Sequence, residues 1–116
     1  MHIPVLKEKV IEYLAPKPNE HFIDCTIGQG GHALAILEKT GPKGKVLGID
    51  QDSAFLSQLR QTIQKEYKNR LLLAEGNFAH ITTIAQQEKF RPVHGILFDL
   101  GFSSLHIEES KRGFSF

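Results

Sequence analysis

The chain has 116 residues, of which 41% are hydrophobic and 23% are charged, and its 14 basic and 13 acidic side chains give a net charge of +1. This composition excludes a disordered, collagen-like or disulfide-rich chain, and the small net charge provides no general attraction for nucleic acid. No apolar run approaches the roughly 20 residues that a membrane span needs, and the polar start of the chain does not resemble a signal peptide. With only one cysteine, the sequence predicts a soluble, cytoplasmic protein without an internal disulfide.

Helical and strand patterns alternate along the chain. In chain order, we predict a helix over Pro4–Leu14, a strand over His21–Thr26, a helix over His32–Lys39, a strand over Lys45–Asp50, a helix over Ser53–Tyr67, a strand over Leu71–Ala74, a helix over Ala79–Glu88 and a strand over His94–Leu100. Ser53 is the predicted N-cap of the third helix. Strands that alternate with crossover helices indicate an α/β fold, with a parallel sheet and helices on both faces.

The first predicted strand ends in a glycine-rich turn, Asp24-Cys25-Thr26-Ile27-Gly28-Gln29-Gly30-Gly31. Open α/β sheets bind their ligands outside the carboxyl ends of the strands, where glycines let the backbone approach a ligand closely. The spacing Gly28-x-Gly30-x-x-Ala33 also fits the dinucleotide fingerprint, which is a weak signal by itself. A tight strand-to-helix turn without a ligand remains the alternative.

Two acidic residues narrow the class of ligand. Asp50 ends the second strand, 22 positions after Gly28, where a carboxylate accepts hydrogen bonds from ribose hydroxyls. Asp52 beside it is the better candidate for a structural role. Asp24 stands at the mouth of the first strand, where it would repel a pyrophosphate but would attract a cation. Asp24 therefore favours S-adenosylmethionine, which carries an ammonium and a sulfonium, over NAD. The alternatives are that Asp24 only caps the turn and that Asp50 is a solvated acid.

Four further residues are placed around the same predicted edge. Asp99 ends the fourth strand, where it would hold an exocyclic amine or take its proton. Phe78 follows the third strand and would stack on an adenine, with core packing as its alternative. His32 opens the first crossover helix, either as a ligand contact or as a solvated helix start. Cys25 is interpreted as a packing residue, because no basic partner is evident beside it.

Taken together, these residues resemble the motifs of the ribosomal RNA cytosine-N4 methyltransferases, the RsmH or MraW family. The matching motifs run in family order along the chain: His2-Ile3-Pro4-Val5-Leu6, Asp24-Cys25-Thr26-Ile27-Gly28-Gln29-Gly30-Gly31-His32, Gly48-Ile49-Asp50-Gln51-Asp52, Gly76-Asn77-Phe78, Asp99-Leu100-Gly101-Phe102-Ser103-Ser104 and Arg112-Gly113-Phe114-Ser115-Phe116. The last two motifs are highly specific.

The resemblance implies a class I, Rossmann-like methyltransferase sheet whose first four parallel strands have the order 3-2-1-4. It implies transfer of a methyl group from S-adenosylmethionine to the N4 amine of a cytidine in small-subunit ribosomal RNA. Carried over by position, the donor-binding set is Asp24, Gly28, Gly30, Gly31, His32, Asp50, Phe78, Asp99 and His106, with Asp99 also catalytic and no metal. His106 replaces the glutamine that the family has at that position, so this contact departs from the family pattern.

The resemblance covers residues 1–116 as the N-terminal half of a longer catalytic domain, because family members have further strands and a helical insertion. We therefore expect a fragment or a truncated form, and the sequence leaves open whether it is active by itself. We also expect an unpaired apolar edge on the fourth strand, at Ile96, Leu97 and Phe98, that promotes self-association. The expected partner is the small ribosomal subunit with its RNA, and we expect no association with a membrane. A fragment of an NAD-dependent oxidoreductase and a non-catalytic nucleotide-binding module remain as alternatives.

Overall fold

A computed structural model describes residues 2–4, 7–101, 104–114 and 116. The strands are β1 His2–Pro4, β2 Phe22–Asp24, β3 Val46–Asp50, β4 Leu71–Glu75, β5 Val93–Gly101 and β6 Ser104–Phe114. The helices are α1 Lys7–Leu14, α2 Gly31–Lys39, α3 Ser53–Gln61, α4 Ile63–Tyr67 and α5 Ile81–Gln87, with short 3-10 turns at Lys68–Arg70 and Phe78–His80. No helix in these ranges is long and apolar enough to cross a membrane.

The strands form one sheet with the order β1-β6-β5-β2-β3-β4. Strand β2 pairs in parallel with β3 on one side and with β5 on the other, and β3 pairs in parallel with β4. The four predicted strands therefore have the predicted order 3-2-1-4, and their carboxyl ends meet at one edge of the sheet. This arrangement brings the acidic residues that end β2, β3 and β5 to the same place.

The predicted unpaired edge beside the fourth strand is wrong. Strand β6 pairs antiparallel with β5 along nearly its whole length, and β1 pairs antiparallel with β6. Leu105 and Ile107 of β6 are buried in the core, whereas the alternating residues His106 and Glu108 are not. Because Leu97 is also fully buried, the apolar edge that was the reason to expect self-association does not exist in this structure.

The predicted helices differ from the structure mainly at their ends. The first helix begins at Lys7 rather than Pro4, since His2–Pro4 form a strand, and positions 5 and 6 lie outside the described residues. Asp52, not Ser53, caps α3, because its side chain accepts a hydrogen bond of 2.9 Å from the Ala54 backbone N–H. The predicted long helix also breaks at Thr62 into α3 and α4, and the next helix starts with a 3-10 turn.

Apolar residues cover both faces of the sheet. One cluster joins α1, α2 and α3 to side chains of the strands such as Phe22 and Leu97. The other lies on the opposite face, where Ile84 and Ala85 of α5 pack against Ile23. Burial on both faces fits the near-continuous apolar runs of the parallel strands.

Two histidines join the amino ends of neighbouring strands. The Nδ1 atom of His21 accepts the Lys45 backbone N–H at 3.0 Å, and the Nδ1 atom of His94 accepts the His21 backbone N–H at 3.1 Å. Both bonds need a ring nitrogen without a proton. Burial lowers the pKa of His21, and the nearby His94 and Lys45 lower it further.

We predict that the His21 contacts weaken in acid. The pKa of His21 is lowered by folding, so the unfolded chain takes up its proton first, and stability is lost as the pH falls below about 6.5. In urea unfolding at pH 5, 6 and 7, His21→Asn should lose less stability than the wild type between pH 7 and pH 5, because the amide oxygen keeps an acceptor that does not titrate. His80→Asn, at an exposed position on the surface, is the control and should follow the wild type. An unchanged pH dependence in His21→Asn would contradict the prediction.

Candidate active site at the carboxyl edge of the sheet

A cleft of about 130 Å³ lies where β2, β3 and β4 end. It is lined by Cys25, Thr26, Asp50, Gln51, Gly76 and Phe78. Every lining residue ends a strand or follows one within three positions, so the parallel order of the strands creates the cleft. The sequence predicted Asp50 and Phe78 as part of this site, and it missed Thr26, Gln51 and Gly76 as lining residues. Their position just after predicted strands was the available signal.

The glycine turn after β2 needs glycine at two positions. Gly28 and Gly30 have φ angles of +52° and +85°, in the left-handed region that side chains with a Cβ rarely adopt. A Cβ on Gly30 would also lie 2.8 Å from a methyl carbon of Leu59 and 2.7 Å from one of Ile63. The turn is fastened to β3, since the Ile27 backbone N–H donates to the Ile49 carbonyl at 2.9 Å.

Asp50 connects this turn to the end of β3. Its Oδ2 atom accepts the Gly28 backbone N–H at 2.9 Å, and its Oδ1 atom accepts the Asp52 backbone N–H at 2.9 Å. A carboxylate offers about four acceptor positions, so Asp50 keeps capacity for ligand hydroxyls at the cleft that it lines. Asp52 caps α3 and does not line the cleft, as the structural interpretation of this residue predicted.

Asp24 is a buried carboxylic acid, 2% exposed, at the end of β2. Its Oδ1 atom accepts the Thr26 backbone N–H at 3.2 Å, which is the predicted alternative of a turn cap. Its Oδ2 atom is buried and accepts no hydrogen bond from a described residue. The pKa of Asp24 is raised to about 7, mainly by burial and also by the negative charges of Asp50 and Asp99, while the hydrogen bond from Thr26 acts in the opposite direction. The arrangement therefore suits a proton or a cation.

Cys25 is not a nucleophile in this cleft. Its thiol is 3% exposed, and burial together with the charge of Asp24 raises its pKa to about 12. A thiol with this pKa stays protonated and inert at neutral pH. The predicted packing role is confirmed by its place in the apolar cluster with Ile23 and Leu47.

Asp99 lies at the carboxyl end of β5 and is exposed. Its backbone N–H donates to the Thr26 hydroxyl oxygen at 2.7 Å, which joins the ends of β5 and β2. The pairing of β5 with β6 is irregular between Asp99 and Gly101. Such bulges re-aim side chains next to functional sites.

Phe78, which lines the cleft, belongs to a group of three ring side chains in contact. Phe78 is 46% exposed, so it is not the core residue of the alternative interpretation. Its ring stacks on Phe98 with centroids 5.3 Å apart and an interplanar angle of 6°, and Phe98 contacts His106 at 4.8 Å. Phe98 therefore contacts both Phe78 and His106. The ring of His106 does not line the cleft and also lies 2.8 Å from a carboxylate oxygen of Glu108, so its contact with a ligand stays a prediction.

The remaining predicted residues belong to the start of α2. Gly31 is the first residue of this helix and is exposed, and His32 follows it half-buried in the first turn. Gly30 caps the helix in a left-handed conformation. The described residues contain no group of three His, Cys, Asp or Glu side chains that is arranged to hold a metal ion.

A larger cavity, of about 610 Å³, lies near the amino end of β2. Phe22, His94 and Lys111 are among its lining residues, and none of the predicted site residues contributes to it. The smaller cleft is the better candidate site, because it lies at the carboxyl ends of the parallel strands and is lined by Asp50, with Asp24 and Asp99 at the same edge of the sheet.

The order of the strands, together with the cleft at their carboxyl ends, defines a class I methyltransferase-like Rossmann fold. The structure of TrmN from Thermus thermophilus matches with a TM-score of 0.63 and 15% identity, over 82% of this chain and 37% of that one. Fibrillarin from Aeropyrum pernix, solved in complex with natively bound S-adenosyl-L-methionine, matches with a TM-score of 0.57 and 11% identity, over 79% of this chain and 52% of that one. These similarities establish the fold.

The sequence matches the MraW methylase family over residues 1–116, and the chain belongs to that family. It is 46% identical over 115 residues to the ribosomal RNA small subunit methyltransferase H of Thermomicrobium roseum, and 43% identical over 115 residues to that of Dehalococcoides mccartyi. Each match covers 99% of this chain but 35% and 33% of the relative. The chain thus spans about a third of the length of these curated relatives. The predicted family is confirmed.

We predict that Asp24 destabilises the unliganded chain above neutral pH. The pKa of this carboxyl is raised by folding, so the unfolded chain releases the proton first and stability falls as the pH rises from about 4 through 7. In urea unfolding, Asp24→Asn should be more stable than the wild type by roughly 2–4 kcal/mol at pH 8, with the difference shrinking toward pH 4. Glu75→Gln, at the exposed end of β4, is the control and should not reproduce this dependence. An equal pH dependence in Asp24→Asn and the wild type would contradict it.

Proposed function

We propose that this chain is the donor-binding part of a methyltransferase that uses S-adenosylmethionine to methylate the N4 amine of a cytidine in small-subunit ribosomal RNA. The observation that carries the choice of donor is the buried Asp24 Oδ2, which has no hydrogen-bond partner among the described residues and lies near Asp50 and Asp99. This concentration of negative charge fits a ligand with an ammonium and a sulfonium group. It disfavours a pyrophosphate, and with it the NAD alternative.

The other predicted residues fit the remaining parts of the same donor. Asp50 would hold the ribose, since it lines the cleft and retains acceptor capacity. Phe78 would flank the adenine with the part of its ring that Phe98 leaves exposed. The methionine part would be bordered by Gly28, Gly30, Gly31 and His32. A direct contact from His106 stays part of the proposal, and its ring contacts Phe98.

When bound, S-adenosylmethionine supplies an electrophilic methyl group. The amine of cytosine is a poor nucleophile because its lone pair is delocalised into the ring. Asp99 would accept hydrogen bonds from this amine, favour a more tetrahedral nitrogen and hold the amine in line, so that alignment provides much of the rate increase. The exposed position of Asp99 at the strand end leaves room for a base that has been unstacked from its neighbours.

The proposed substrate is ribosomal RNA in the small subunit, which places the reaction in the cytoplasm. The support is the family and the name of the relatives, ribosomal RNA small subunit methyltransferase H. A net charge of +1 gives this segment little non-specific affinity for RNA. Base presentation in the active site and contacts from other parts of a full-length enzyme would therefore carry most of the recognition.

Two measurements test the proposal. Titration calorimetry of the chain with S-adenosylmethionine, S-adenosylhomocysteine and NAD should show binding of the first two and not of NAD. The full-length gene product, incubated with labelled donor and small ribosomal subunits that lack the modification, should label one cytidine at N4. Binding of NAD alone would support the oxidoreductase, and donor binding without any labelling would support a non-catalytic module.

We predict that Asp50→Ala weakens the binding of both the donor and its demethylated product. The loss of a charged hydrogen-bond acceptor for ligand hydroxyls should lower the affinity by about 10- to 150-fold, corresponding to roughly 1.5–3 kcal/mol. Asp52→Ala is the matched control, because it removes the neighbouring acid that caps α3 but does not line the cleft. It should reduce stability and leave the affinity within about twofold. Unchanged affinity in Asp50→Ala would remove this residue from the proposed site.

We predict that Asp99→Ala in the full-length gene product slows methyl transfer far more than it weakens donor binding. A group that acts on the attacking amine contributes to the transition state more than to the complex with the donor. Single-turnover kinetics at saturating donor should show a rate reduced by about 100-fold or more, within the range of general acid–base and electrostatic effects. The rate of Asp99→Asn, which keeps one acceptor oxygen, should fall between the rates of the wild type and of Asp99→Ala. A loss confined to donor affinity would make Asp99 a donor ligand only.

A further inference from the structure

The end of the β2–β5 ladder is completed by a side chain. The backbone pairing of these strands runs from Phe22 opposite Gly95 to Asp24 opposite Leu97, and the Cys25 backbone N–H then donates to the Leu97 carbonyl at 2.8 Å. Beyond this bond the chain turns away from the sheet toward Gly28. The next outward donor of β5 on this side, the Asp99 backbone N–H, is accepted at 2.7 Å by the hydroxyl oxygen of Thr26.

Thr26 also contacts Asp24, a second acidic residue of the site. The Thr26 backbone N–H donates to Asp24 Oδ1 at 3.2 Å, and Thr26 lines the cleft. One residue therefore contacts Asp24 through its main chain and Asp99 through its side chain. A β-branched residue has few χ1 rotamers, so threonine holds its hydroxyl in one direction better than serine does.

The opposite side of Asp99 provides less regular support. Asp99 pairs with Leu105 of β6, but the register shifts before the next pair, Gly101 with Ser104. A bulge leaves one residue outside the regular ladder and changes the direction of the strand. The bond to Thr26 thus holds the Asp99 backbone on the side of β5 that faces β2.

We propose that Thr26 is a positioning residue that sets the Asp99 carboxylate relative to Asp24 for methyl transfer. This inference rests on the proposed function of Asp99. Because the Thr26 oxygen accepts the Asp99 N–H, valine at this position keeps the shape of the side chain and removes the acceptor. Serine keeps the acceptor and removes only the methyl group.

The test uses the full-length gene product in single-turnover methylation at saturating donor. Thr26→Val should lower the rate by about 3- to 10-fold, as expected for one lost hydrogen bond, with donor affinity changed less than the rate. Thr26→Ser should restore the rate to within about twofold. Thr83→Val, an exposed position on α5 outside the cleft, is the matched control and should leave both quantities unchanged.

A double-mutant cycle separates positioning from a general structural effect. If Thr26 acts through Asp99, Thr26→Val should have almost no further effect on the rate in an Asp99→Ala background, whereas independent effects would multiply. Amide hydrogen exchange of Asp99 should be faster in Thr26→Val than in the wild type and in Thr26→Ser. Equal rates in Thr26→Val and the wild type, or full multiplication in the cycle, would overturn this inference alone. A wild type that transfers no methyl group would overturn the proposed function and this inference with it.

Discussion

The hydrogen bond from the Gly28 backbone N–H to Asp50 Oδ2 joins two turns that are 22 residues apart in the sequence. It fixes the glycine turn after β2 against the end of β3, while the other oxygen of the same carboxylate holds the backbone of Asp52 at the start of α3. The geometry of the cleft depends on this carboxylate, because Asp50 and Thr26 line it from neighbouring strands. The residue proposed to hold the ribose therefore also organises the turn around it.

Negative charge is concentrated at this edge of the sheet by topology. Parallel strands end at the same edge, and β2, β3 and β5 each bring an aspartate there. The burial of Asp24 raises its pKa to about 7, and the neighbouring aspartates contribute in the same direction. A buried carboxylic acid without a full set of partners costs stability in the unliganded protein. That cost is consistent with a site arranged for a positively charged ligand rather than for packing.

The sequence predicted the four parallel strands and the edge that carries Asp24, Asp50 and Asp99, because apolar runs and strand-end residues are local signals. The order of the strands came from the resemblance to the family, since no local pattern reveals it. The sequence missed β6, since charged residues from Glu108 to Arg112 obscure the alternation of Leu105 and Ile107. It also chose Ser53 over Asp52 as the helix cap, which only the direction of the side chains decides. The bond between Thr26 and Asp99 spans 73 residues, and no local pattern reveals it.

Arg70 shows how the site is held from a distance. Its guanidinium donates to the Leu37 carbonyl at 2.7 Å and to the Thr40 hydroxyl at 3.3 Å, and its Nε donates to the Gly44 carbonyl at 2.7 Å. These acceptors surround the carboxyl end of α2, the helix whose first turn carries His32. Helix α2 is thus held at both ends, by the glycine turn at its amino end and by the hydrogen bonds from Arg70 at its carboxyl end. Its rotation is resisted without any added contact inside the cleft.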